Sequence, residues 1–131
     1  MAKIEVLKMT LGLTHTSTLI VARQHLAATM GSGDLEVFAT PALVALCENA
    51  AMLAVANHLP EGCTTVGSHI DLAHLKPSAL GAKVEATATL TAIDGRKLTF
   101  TISATDGNDT IANGTHIRYV VDAQRFMSKL K

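Results

Sequence analysis

Thr40-Pro-Ala-Leu-Val-Ala-Leu-Cys-Glu48-Asn-Ala-Ala-Met-Leu-Ala-Val-Ala56 is the stretch on which the fold turns. A threonine hydroxyl can satisfy an orphan N–H and proline lacks one, so Thr40 as N-cap and Pro41 as first helical residue begin a helix. Pro60 and Gly62 end it near Asn57 or His58. Apolar residues lie almost all round it, the pattern of a helix enclosed by its surroundings. Glu48 stands in the middle of that run. A carboxylate there must reach solvent, find a partner, or persist as a reactive acid held near neutrality.

Outward from this helix the chain reads as strand. Leu13 to Val21, inside Gly12 to Ala22, is rich in β-branched residues that fit a pleated surface. Arg23 to Asp34 contains Gly31-Ser-Gly-Asp34, which predicts a mobile loop and a candidate lid. Thr64 to Leu75 predicts a strand. Lys83 to Ile93 alternates Val84, Ala86, Ala88, Leu90 and Ala92 with Glu85, Thr87, Thr89 and Thr91, the two-residue period of a half-buried strand. Asp94-Gly95 turns it into Lys97 to Thr105, where Leu98, Phe100, Ile102 and Ala104 share one face. Asp106-Gly-Asn-Asp109 then leads to Thr110 through Val121, so the last three strands form an antiparallel meander with the final strand exposed at its edge. Ala123 to Lys131 is a polar tail, helical or frayed. Neither the helix nor the strands can bury their apolar surface alone, which predicts an α+β arrangement with the sheet wrapped around one long central helix. At 131 residues the expectation is a single domain over 1–131.

Composition removes several classes of function. Eleven Lys and Arg balance eleven Asp and Glu, so there is no broad positive field for nucleic acid. Cys47 and Cys63 stand in no metal or redox spacing and read as reduced, buried thiols of a cytoplasmic protein. Met1 to Thr10 carries Glu5 and Lys8 inside its short apolar run, unlike a signal peptide, and no segment approaches the roughly 18 apolar residues of a membrane span. His15, His25, His58 and His116 show no metal-ligand spacing, so no metal is assigned.

Four short motifs carry a resemblance. Phe38-Ala-Thr40-Pro41 with Glu48 eight residues on, Gly67 with His74 seven residues on, Asp94-Gly95-Arg96 before Leu98, and Gly114-Thr-His116-Ile-Arg118 together resemble the fluoroacetyl-CoA thioesterase family of hotdog-fold proteins. The resemblance covers about residues 12 to 121. It implies a hotdog fold in which two subunits join edge to edge, an acyl-CoA substrate, no cofactor, and a homodimer or a dimer of dimers. By matching motif it implies catalytic roles for Thr40, Glu48 and His74 and substrate-binding roles for Gly67, whose backbone would lie against the substrate carbonyl, and Arg118. The specific enzyme of that family has phenylalanines in a lid segment before the Thr-bearing helix, whereas Met30 to Leu35 has none. That departure implies a different or broader small acyl group.

The residues support the same chemistry on their own terms. Thioester hydrolysis needs an attacking carboxylate or activated water, a donor for the oxyanion, and a group that moves protons near neutral pH. Glu48 can serve as nucleophile or base, His74 as proton shuttle, and Thr40 can hold water or a carboxylate. Simpler readings stand beside these: Thr40 as an ordinary cap, Glu48 reaching solvent at a subunit edge, and His69 as a histidine equal to His74 by chemistry. Spacing from Gly67 and to Gly81 selects His74. Lys76, Lys83, Arg96, Lys97 and Arg118 are candidates for the CoA phosphates. On one straight helix Thr40 and Glu48 lie roughly 12 Å apart, too far for a direct bond, so the chain bends before the helix, or the two meet across a subunit interface, or each touches a different part of the substrate; the hotdog resemblance implies the interface. The alternative function is a non-catalytic acyl-CoA or small-ligand binding module. A hydro-lyase would need an Asp and a His five residues apart, and Asp71 to His74 does not give that spacing.

Overall fold

The computed structural model describes residues 9–130; residues 1–8, on which the signal-peptide reading rests, and residue 131 lie outside it. The β-branched run forms β1, Thr14–Ile20, followed by a 3-10 turn at Arg23–His25 and the single-turn α1, Ala27–Met30. The apolar stretch is α2, Thr40–Ala56. After it come β2 (Cys63–His74), β3 (Lys83–Asp94), β4 (Lys97–Thr105), β5 (Thr110–Asp122) and α3 (Ala123–Ser128). All five strands pair antiparallel in the order β1-β3-β4-β5-β2.

α2 packs on the inner face of this sheet, against β1, β2, β3 and β4. Leu43, Leu46, Cys47, Ala50, Ala51 and Val55 of the helix meet Val84, Ala86, Ala88 and Leu90 of β3 and Leu98, Phe100, Ile102 and Ala104 of β4. Alanines on both sides leave room for the helix backbone to come close to the sheet. Asp106 shapes the last turn, its Oδ1 accepting the N–H groups of Asn108 and Asp109.

Four expectations are corrected. The final strand β5 is internal: β2 docks beside it, so among the described residues the outer strands of the sheet are β1 and β2. Ala92 leaves the inner face because a bulge between Leu90 and Ala92 breaks the alternation of β3. Arg23 to Asp34 is no open loop. Leu26 and Ala27 are buried, Leu26 bridges Phe38, and Ala27 and Ala28 donate to the carbonyls of Val37 and Leu35 at 2.8 and 3.1 Å. Gly31, at φ 75°, closes α1 in the left-handed conformation that glycine adopts freely. Finally, α2 is covered on one side only. Pro41, Ala45, Asn49, Leu53 and Ala56 form an exposed stripe, which alanine-rich composition disguises because alanine suits either environment.

Candidate active site

Thr40 is the first residue of α2, and the N-cap is Ala39, extended at φ −73° and ψ 139° with no side-chain cap. The threonine hydroxyl is therefore not spent on the helix end. Its Oγ1 lies 2.7 Å from His74 Nδ1, at the last residue of β2. The pair closes a cleft of about 290 Å³ lined also by Ala27, Ser32, Val37, Phe38 and Lys76. Phe38 sets its ring edge-on to the imidazole, with centroids 6.5 Å apart. Burial pushes the His74 imidazole below its ordinary value, partly opposed by the nearby Lys76 backbone. His74 is thus neutral at pH 7, and its Nε2 is buried with no partner among the described residues. In the tautomer that carries the proton on Nε2, Nδ1 accepts the Thr40 O–H. His69, the rival histidine, is exposed and does not meet Thr40.

Two turns further along α2, Glu48 belongs to a second cluster. Its carboxylate is 40% exposed, so it is not sealed inside the helix packing, and Oε2 lies 4.0 Å from Arg118 Nη1. Gly67 makes space for it. A Cβ at that position would sit 2.8 Å from Glu48 Oε2, 3.2 Å from Arg118 Nη1 and 3.3 Å from His116 Cε1. Gly67 adjoins the bulge in edge strand β2, where the register with β5 shifts between Gly67 and His69.

Arg118 turns inward. It is 7% exposed; Nε donates to Thr65 Oγ1 at 2.8 Å, Nη2 to the Thr65 carbonyl at 2.9 Å, and Nη1 to His116 Nε2 at 3.2 Å. Those bonds engage three of its five N–H groups. Burial lowers its pKa and Glu48 opposes the shift, yet a guanidinium stays charged at any physiological pH. Thr65 and His116 were not singled out by sequence. Their signal is faint: His116 and Arg118, two apart on one strand, share the inward face with Val120.

The structure thus joins Thr40 to His74 and Glu48 to Gly67 and Arg118, but not the two groups to each other. Because α2 begins at Thr40 and continues through Glu48, no bend brings the hydroxyl and carboxylate together. Lys76 lies at the cleft, 3.5 Å from Asp109 on the surface. Cys47 is fully buried; burial, helped by the Glu48 charge, pushes its thiol up to about 11. Among the described residues no group of three His, Cys, Asp or Glu side chains is gathered as a metal site. No helix among them is long and apolar enough to cross a membrane.

A curled antiparallel sheet holding one long helix is the hotdog fold of the thioesterase superfamily. A family model described as FlK, fluoroacetyl-CoA-specific thioesterase, matches residues 21–124, and the chain belongs to that family of thioester hydrolases. It is 38% identical over 96 residues to the fluoroacetyl-CoA thioesterase of Streptantibioticus cattleyicolor, covering 73% of this chain and 69% of that one. The crystal structure of the fluoroacetyl-CoA thioesterase FlK superposes with a TM-score of 0.86 at 32% identity, covering 92% and 94% of the two chains. A hot-dog-like protein from Thermanaerovibrio acidaminovorans shares the fold alone, with TM-score 0.84 at 24% identity over 92% and 90%.

Proposed function

We propose that this chain hydrolyses a short-chain acyl-CoA thioester through Thr40, Glu48 and His74, with the Gly67 backbone against the acyl carbonyl. The observation that carries the reading is the 2.7 Å bond between Thr40 Oγ1 and His74 Nδ1, which leaves the hydroxyl uncommitted to capping and beside a cleft. Glu48 supplies the negative charge that attacks the carbonyl carbon, directly or through a water whose proton it takes. The C–S bond breaks and CoA leaves as the thiolate, which takes the proton that Glu48 drew from the attacking water, or one from a water that His74 Nε2–H orients; on the direct route water then hydrolyses the Glu48 anhydride, freeing the acid and restoring the carboxylate. Thr40 holds that imidazole in the tautomer whose Nε2–H can donate to oxygen as charge gathers there.

Roughly 12 Å of helix separates Thr40 from Glu48, so one substrate meets both only if it spans them or if a second subunit completes the site. A homodimer supplies the second arrangement, and edge strand β2, paired on one side only among the described residues, gives a twofold partner a ready place to add its own edge. Light scattering that finds only a 13.7 kDa monomer at micromolar concentration would rule the dimer out.

The deciding experiment is thiol release across a panel of acyl-CoA esters, run on the protein and on Glu48→Gln. Turnover of a short acyl ester should fall about a hundredfold or more in the variant, the scale of a positioned acid–base group. Stability should change by no more than about 0.5 kcal/mol, because Glu48 is 40% exposed and its ion pair at 4.0 Å is long. A variant that melts early but keeps full turnover per folded molecule makes Glu48 a structural residue.

A further inference from the structure

His116 has no part in the reaction as written, yet it is the one fully buried histidine among the described residues, at 1% exposure. Both its ring nitrogens are spoken for. Nδ1 donates to the His69 carbonyl at 2.7 Å, which leaves Nε2 as an acceptor, and that acceptor receives Arg118 Nη1–H at 3.2 Å. Only one tautomer, and only the neutral ring, satisfies both bonds. Its ring lies tilted over Phe100, with centroids 6.2 Å apart. Arg118 in turn has Nε and Nη2 pinned to Thr65, so His116 fixes the remaining arm, the one that faces Glu48.

We infer that His116 is a positioning residue for hydrolysis: as a neutral acceptor it aims Arg118 Nη1 at Glu48 and so holds the carboxylate over Gly67. The inference rests on the hydrolytic reading of Glu48. Geometry ties the four residues together, since a Cβ at Gly67 would be within 3.3 Å of all three other side chains. The ionisable groups that face His116 are Arg118 on its own strand, Glu48 from α2 and His69 from β2; β4 contributes only the apolar Phe100. Burial and Arg118 hold the imidazole below its ordinary value against the opposing pull of the His69 carbonyl and Glu48, which keeps the acceptor in place at neutral pH. Protonation would set an N–H against an N–H and release the arm.

The test compares His116→Asn, whose amide can keep the bond to His69 but does not reach Arg118, with His116→Gln, whose longer side chain restores an acceptor near Nε2. His116→Asn should lower kcat about tenfold or more with KM within about threefold, and His116→Gln should recover most of that loss. Arg118 guanidinium NMR signals should lose their protection from exchange in His116→Asn and regain it in His116→Gln. In the unsubstituted protein they should also change on acidification, and much less in His116→Gln. Should His116→Asn not fold, Arg118→Lys leaves His116 in place and must produce the same fall in kcat. Unchanged kcat with a loosened Arg118, or an Arg118 indifferent to His116→Asn, overturns the inference. Glu48→Gln judges the hydrolytic reading separately, so the two ideas fail on different measurements.

Discussion

Thr40 Oγ1 and His74 Nδ1, thirty-four residues apart in sequence, meet at 2.7 Å where the start of α2 passes the end of β2. This contact separates a catalytic role for Thr40 from a capping one. Loss of a true cap costs about 1 kcal/mol, whereas Thr40→Ala at an exposed first helical position should cost no more than about 0.5 kcal/mol. Turnover in Thr40→Ala should nevertheless fall at least tenfold and be largely kept in Thr40→Ser. Thermal melts beside thiol-release rates check both halves, and a stability loss of about 1 kcal/mol with full turnover would return Thr40 to the helix end.

Gly67 and Gly114 are both intolerant of a side chain, for different reasons. The Cβ of Gly67→Ala meets the tip of Glu48, which can move, so stability should fall by less than about 1 kcal/mol while turnover drops. At Gly114 the Cβ collides with the Asp71 backbone of the paired strand, and Leu72 Cα is 2.9 Å away. Gly114→Ala should therefore cost about 2 kcal/mol or more. Denaturant midpoints and kcat measured on both variants would show activity lost ahead of stability only at Gly67.

Acid should weaken the fold before it titrates the carboxylates. His74 and His116 are both held below the ordinary imidazole value, chiefly by burial. The unfolded chain then takes up protons first as pH falls, so stability is full above about pH 6.5 and is lost from there down towards the folded values. Tm should be level between pH 7 and 8 and decline below about 6.5. The decline should be shallower in His116→Gln, and an equal slope in both proteins would show that His116 does not contribute.

The segment from Arg23 to Leu35 is fastened by Leu26, which is 2% exposed. Leu26→Ala should cost about 2–5 kcal/mol, the range for a buried leucine, where a free loop would show almost nothing. With no phenylalanine between Met30 and Leu35, fluoroacetyl-CoA and acetyl-CoA should differ by less than about tenfold in kcat/KM. A preference near a thousandfold would place the discrimination elsewhere in the site.

Local pattern carried much of this architecture. The alternation in β3 and β4, the Asp94-Gly95 turn and the Pro41 and Gly62 limits of α2 are each set by a few neighbouring residues, and the structure has them close to where pattern places them. What pattern could not carry was long-range. β2 reaches β5 only after two intervening strands, so nothing near Thr110 to Val121 reveals a partner on its far side. Leu26 turns a polar, glycine-bearing stretch into an anchored one through contacts with Phe38. In the site, Thr40, Glu48, Gly67 and His74 stood out through the family resemblance of their motifs, whereas roles for His116 and Thr65 became visible only when Arg118 proved to be buried between them.

Cys47, one residue before Glu48, is wholly enclosed, and burial keeps its thiol protonated far above neutral pH. A buried, protonated thiol is inert to reagents while α2 lies on the sheet. Cys63, partly exposed at the start of β2, is open to reagents much sooner. The chain thus carries its own stopwatch: a reagent that reaches Cys47 does so only through a parting of helix and sheet, and the rate of its modification counts how often that parting occurs.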